Sequence, residues 1–171
     1  MKATTQSFYA NAVLRAVHHI AGHLDTPLAL ADLAAQAAVS PYHFHRMFRG
    51  MVGETPGELA RRLRLERAAW RLAHHQRDSV LAVALAAGYD SHEAFTRAFR
   101  AAYALAPSEF RRQHNPQVAL ATANGIHYAP NAPAAAFEHH LTGGAPMDVA
   151  LRTMPELRAA AARHTGPYHQ I

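Results

Sequence analysis

Tyrosine, histidine and arginine are side chains that reach base edges and phosphates, and residues 40–49, S-P-Y-H-F-H-R-M-F-R, crowd them into one short stretch. At about 100° per residue, Tyr42, His45, Arg46 and Arg49 share one arc of a helix, while Phe44, Met47, Phe48 and Met51 share the opposite arc. An apolar arc fits any helix packed on a core. The polar arc is more informative, because it holds no carboxylate to neutralise its arginines. Shifting the chain by 51 residues places Ser91 on Ser40, Phe95 on Phe44, Arg97 on Arg46, Phe99 on Phe48, Arg100 on Arg49, Pro107 on Pro56 and Glu109 on Glu58. The second copy turns Phe95, Ala98, Phe99 and Ala102 inward and Glu93, Thr96, Arg97 and Arg100 outward.

Other chemistry is poorly served. There are no cysteines, so disulfides, thiolate metal sites and cysteine nucleophiles are excluded together. His19 and His23 lie at i,i+4, a spacing that can share an ion, but two ligands are too few. His92-Glu93 begins like the zinc-protease pattern H-E-x-x-H, yet Thr96 stands where the second histidine is needed. Ser91, His92 and Glu93 are adjacent, and adjacent helical residues point in different directions and form no relay. No enzymatic activity, cofactor or metal is expected.

The composition suits a protein with a real core, with half of its 171 residues hydrophobic. The sequence offers neither a long apolar stretch nor the basic-then-apolar start of a signal peptide, so a cytoplasmic location and no membrane partner are expected. The net charge is +5, and all of the excess lies within residues 1–114; every basic residue except Lys2 is arginine, which suits bidentate contact with phosphate or guanine.

The elements that must carry these residues are helical. Apolar positions Ala12, Leu14, Val17, Ile20 and Leu24 predict a helix over about 7–23, ended by Asp25-Thr26-Pro27. A short Ala-rich helix over about 30–37 follows, then the turn Ala38-Val39-Ser40, with Ser40 as N-cap and Pro41 as first helical residue. Thr55-Pro56 starts a long connecting helix to about His74, carrying Leu59, Leu63, Ala69, Trp70 and Ala73. Its Arg61, Arg62, Arg64, Arg67 and Arg71 read as a solvated face with some ion pairs to Glu58 and Glu66. A second helix pair begins at Ser79, with Gly88 where a positive φ would end its first member and Ser91 capping the next. A helix, a tight turn and a helix with an arginine-bearing outer side is a helix-turn-helix, whose second helix enters the major groove. Two in register predict an all-α architecture of tandem lobes: a first motif over about 29–51, a connecting helix over about 56–74 and a second motif over about 79–103.

Across about residues 10–113 the sequence resembles the AraC family of bacterial transcription regulators, in particular its MarA- and Rob-like double-motif members. The strongest part of the resemblance is A-L-A-A-G-Y-D-S-H-E-A-F-T-R-A-F-R-A-A-Y-A-L-A-P-S-E-F-R-R in the second copy. It implies a DNA-binding domain over 1–114 with seven helices in two lobes, both recognition helices facing one side of double-stranded promoter DNA, and binding as a monomer. The family positions that face DNA correspond to Tyr42, His45 and Arg46, and to His92, Glu93, Thr96 and Arg97; Arg49 and Arg100 join them from the outward arcs. Ala104 departs from the family's usual Gly, and Tyr42 and His45 replace a Trp and a Gln of MarA-like members, so the base preference does not carry over. RNA polymerase is the further partner implied.

The last stretch, M-D-V-A-L-R-T-M-P-E-L-R-A-A-A-A-R-H-T-G-P-Y-H-Q-I, resembles the opening of a GyrI-like effector-binding domain of α+β type. On this reading residues 115–146, rich in Ala, Pro, Asn and Gly, are a linker, and 147–171 are the start of a domain that is mostly absent from this chain and would take a small-molecule effector. A competing function is therefore a GyrI-like protein that binds or sequesters small molecules, with the helical part attached.

Overall fold

The computed structural model describes residues 2–113 and 118–130. Among them are seven helices: α1 (Lys2–Gly22), α2 (Leu30–Gln36), α3 (Pro41–Val52), α4 (Pro56–His74), α5 (Val80–Ala86), α6 (His92–Tyr103) and α7 (Pro107–Arg112). The first helix starts earlier than its apolar pattern, since the pattern marks only the part that must pack. The GyrI-like stretch 147–171 and most of the expected linker lie outside the described residues.

Helix α4 belongs to two cores at once. Its first half gives Leu59, Ala60 and Leu63 to a cluster with Val13, Val17, Ile20, Leu33, Phe44 and Phe48. Its second half gives Leu65, Ala68, Ala69 and Leu72 to another with Val83, Ala84, Phe95, Phe99 and Phe110. Each lobe is thus three helices closed on one half of a shared fourth, which is how a helix with apolar residues on two faces buries both.

The caps set where each recognition helix begins. Ser40 accepts from the His43 amide at 3.2 Å and Ser91 from the Ala94 amide at 3.1 Å, satisfying N-terminal amides that the helix leaves open. Thr55 and Glu58 form a reciprocal capping box at the start of α4. Glu58 is therefore not an ion-pair partner of the arginine run, because its carboxylate is engaged by the Thr55 amide.

The repeat is not a uniform shift. Helices α2 and α5 correspond at an offset of 50, since Val39 N–H donates to Ala34 and Tyr89 N–H to Ala84; α3 and α6 correspond at 51. The extra residue in the second turn is Asp90. Both turns use a left-handed residue at the same place, Ala38 at φ 52° and Gly88 at φ 80°.

Of the five arginines of α4, Arg61 is exposed as a solvated face requires, whereas Arg62, Arg64, Arg67 and Arg71 are half-buried and structural. Arg62 bonds Glu54 and Glu66, Arg64 donates to the Leu24 carbonyl at 2.7 Å, Arg67 pairs with Asp25 and donates to the Ala86 carbonyl, and Arg71 pairs with Asp78. The expected pair with Glu66 forms within α4, from Arg62. The other targets, backbone carbonyls and the carboxylates of Asp25, Glu54 and Asp78 brought in from loops, left no mark in the sequence pattern. Burial lowers the Arg62 pKa, but the bonds and charges of Glu54 and Glu66 outweigh it and leave it raised.

Residues 118–130, which composition assigns to a linker, lie against α4. Ile126 is fully buried in the first core, and Val118 packs on the second.

Candidate nucleic-acid interface

The recognition helices hold their inner faces in place with phenylalanine pairs. Phe44 and Phe48 are completely buried with ring centroids 5.9 Å apart; Phe95 and Phe99 are equally buried at 5.4 Å, and Phe99 adds an edge-to-face contact with Phe110 at 5.3 Å. Met47, Met51, Ala98 and Ala102 are half-buried at the flanks, and Val52 joins the first core, a position the wheel did not pick out. With these faces fixed, the opposite arcs must face outward.

On α3, Tyr42 is 72% exposed, and Arg46 and Arg49 are exposed. The Arg46 guanidinium lies 5.8 Å from the Tyr42 ring centroid, a cation–π arrangement that groups these two side chains. His45 is half-buried at the edge of the arc. On α6, His92, Glu93, Arg97 and Arg100 are exposed. Thr96 is half-buried, and its hydroxyl is turned inward without a hydrogen-bond partner, so contact with a base requires a different χ1 rotamer. Glu93 has its pKa lowered by its own backbone amide and by the Ser91 hydroxyl, so its carboxylate helps to cap the helix.

The two sets of arginines differ in pairing. Among the described residues none of Arg46, Arg49, Arg97 and Arg100 forms an ion pair with a carboxylate, whereas Arg62, Arg67 and Arg71 of α4 all do. Exposed, unpaired arginines on two capped helices can donate bidentate hydrogen bonds to an acceptor without first breaking a bond in the protein. Sequence reasoning missed a cleft lined by Gly57, Arg61, Arg64, Gly88, Tyr89 and Ala98, where exposed Arg61 faces the second lobe. No spacing rule pointed to it, because its walls come from α4, α6 and the second turn.

Among the described residues no group of three or more His, Asp or Glu could hold a metal ion, and no helix is long and apolar enough to cross a membrane. His19 and His23 stack at 4.3 Å, with the His23 ring bonded to the His19 carbonyl.

Residues 33–113 match a protein family described as a helix-turn-helix domain. The chain is 41% identical over 91 residues to the Right origin-binding protein of Escherichia coli, covering 53% of this chain and 31% of that one. It is 31% identical over 107 residues to the transposon Tn10 TetD protein of Escherichia coli, covering 63% of this chain and 77% of that one. Among solved structures it is similar to a transcriptional regulator of Chromobacterium violaceum described among AraC-type DNA-binding domain-containing proteins, with 27% identity and a TM-score of 0.56 over 67% of this chain and 98% of that one. The chain spans about a third of the length of the first curated relatives it matches.

Proposed function

The chain belongs to the AraC-type family of helix-turn-helix regulators, and from that premise we propose that it reads a specific double-stranded promoter sequence by inserting α3 and α6 into successive major grooves. The observation that carries this reading is the pair of capped helices with buried phenylalanines inside and, outside, exposed arginines that form no ion pair among the described residues. One chain holds both helices, so a monomer suffices. Tyr42, His45, Arg46 and Arg49 read or anchor one groove, and His92, Glu93, Thr96, Arg97 and Arg100 the other. Arg46 and Arg97 are the base readers, since each lies midway along its helix on the outward arc. A regulator seated at a promoter has RNA polymerase as its natural partner, and the GyrI-like resemblance of residues 147–171 supports a small-molecule effector acting from that side.

The test is binding to a duplex enriched by the chain from a random-sequence library. Arg46→Ala and Arg97→Ala are each expected to lose about 1–3 kcal/mol on that duplex and far less on a scrambled one. Equal losses on both duplexes reassign these arginines to phosphate contact. Enrichment of no sequence refutes specific binding altogether.

A further inference from the structure

The recognition helices end at equivalent residues, Val52 in α3 and Tyr103 in α6, and residues 118–130 grip both ends. The Tyr103 hydroxyl donates to the Val118 carbonyl at 2.6 Å. The Asn124 amide donates to the Val52 carbonyl at 3.0 Å, one of the carbonyls that the last turn of α3 leaves open, and to Glu54 at 2.7 Å. Leu120 between these grips, and Ile126, His127 and Tyr128 beyond the second, pin the segment to the middle of α4. Glu66, fully buried, accepts from the Leu120 amide at 3.0 Å, the Tyr128 amide at 2.8 Å and Arg62 at 3.2 Å, with the His127 ring at 3.0 Å. Arg62 also donates to the Ile126 carbonyl at 2.7 Å. A buried carboxylate without partners would be strongly unfavourable, so this one holds its donors in place as firmly as they hold it.

Arg62 and Glu66 lie about 40° apart on the α4 wheel, whereas Arg64, Arg67 and Arg71 centre on the opposite side. The opposite side carries its own tie, with Arg67 joining Asp25 of the first lobe to the Ala86 carbonyl of the second. The lobes are thus held on both flanks of the helix they share.

We propose that residues 118–130 are a brace that sets the register between the two recognition helices, with Glu66 as its positioning residue. This rests on the DNA-reading proposal above. The brace contributes no base contact; it fixes how far apart and at what twist the two reading surfaces are presented. Its consequence is intolerance of altered spacing. One extra base pair between the half-sites moves them apart by about 3.4 Å and rotates them by about 35°, and a braced protein cannot follow.

The experiment uses the 171-residue chain, the duplex it enriches from a random library, and duplexes with one base pair added or removed between the half-sites. The double variant Tyr103→Phe/Asn124→Ala removes both grips and leaves the outward arcs intact. We expect it to melt cooperatively, to exchange its Leu120 and Tyr128 amide hydrogens faster than the parent, and to pay a spacing penalty about tenfold smaller. Should it fail to fold, Glu66→Gln, which keeps the side-chain volume, carries the same comparison. A steep spacing penalty shared by parent and variant overturns the brace, and so do amides that stay protected in the variant. A parent chain that binds every duplex alike refutes the DNA-reading proposal instead.

Discussion

Among the described residues four end helices in the left-handed region, and the two lobes use glycine and alanine at them in opposite order. Ala38 at φ 52° and Gly88 at φ 80° follow α2 and α5; Gly53 at φ 85° and Ala104 at φ 57° follow α3 and α6. A Cβ in this region crowds the following carbonyl, and glycine escapes that cost. Ala38→Gly and Ala104→Gly are therefore expected to raise stability by about 0.5–1 kcal/mol each, and Gly53→Ala to lower it by about 1 kcal/mol, as measured by urea denaturation. Nothing lies within 4 Å of a Cβ built on Gly53, so its loss would be conformational alone. The departure of Ala104 from the family's glycine is accommodated by the turn, which keeps the Ala104 amide on the Arg100 carbonyl at 2.9 Å.

The elements depend on their caps and their aromatic inner faces. Glu58 at the start of α4 has its pKa lowered by the Thr55 amide and hydroxyl, and Asp25, ahead of α2, has its own lowered by the hydrogen bond from Arg67. Both folded values lie below the ordinary 4.5 and 3.8, so the unfolded chain binds more protons in acid. Their stabilisation is complete above about pH 5 and is lost as the pH falls through those ordinary values to the folded ones. A melting temperature that drops on acidification, and drops less steeply in Glu58→Gln/Asp25→Asn, is the expected result. Phe48→Ala and Phe99→Ala are each expected to cost about 3–5 kcal/mol, enough to unfold a small lobe, and to abolish DNA binding through the fold. If either variant melts like the parent yet fails to bind, the phenylalanines belong to the reading surface and the outward arcs are misassigned.

At the scale of the molecule, the two lobes share α4 but present different chemistry. Tyr42, His45 and Arg46 have no match in His92, Glu93, Thr96 and Arg97 beyond the repeated arginine. A hydroxyl-radical footprint of one chain is expected to protect two unlike stretches about 34 Å apart, centre to centre. A palindromic footprint requiring two chains would contradict the monomeric reading. Ile126→Ala is expected to lower stability by about 2–5 kcal/mol in calorimetry, the loss for a side chain fully buried in the first core, although Ile126 lies more than fifty residues beyond the last helix of that lobe.

The helices, their caps and the inward phenylalanines were legible in the sequence because they follow local rules: Ser-Pro and Thr-Pro starts, the 3.6-residue period, and a unit repeated nearly in register. The outward position of Tyr42, Arg46, Arg49, Glu93, Arg97 and Arg100 followed from the same period, and that of His92 from the family resemblance. The half-burial of His45 and Thr96 did not, because the wheel gives direction but not how close a neighbouring element comes. Asp90 was hidden for a related reason: a uniform shift of 51 aligned the recognition helices well enough to mask the offset of 50 before the turn. Long-range packing, not local pattern, settles where the charges of α4 go and that residues 118–130 lie against it. Arg62, Arg64, Arg67 and Glu66 meet partners as many as 64 residues away, among them backbone atoms that carry no side-chain signal. A segment rich in Ala, Asn and Gly reads as linker until the fold offers Ile126 a core and Asn124 the open end of a helix.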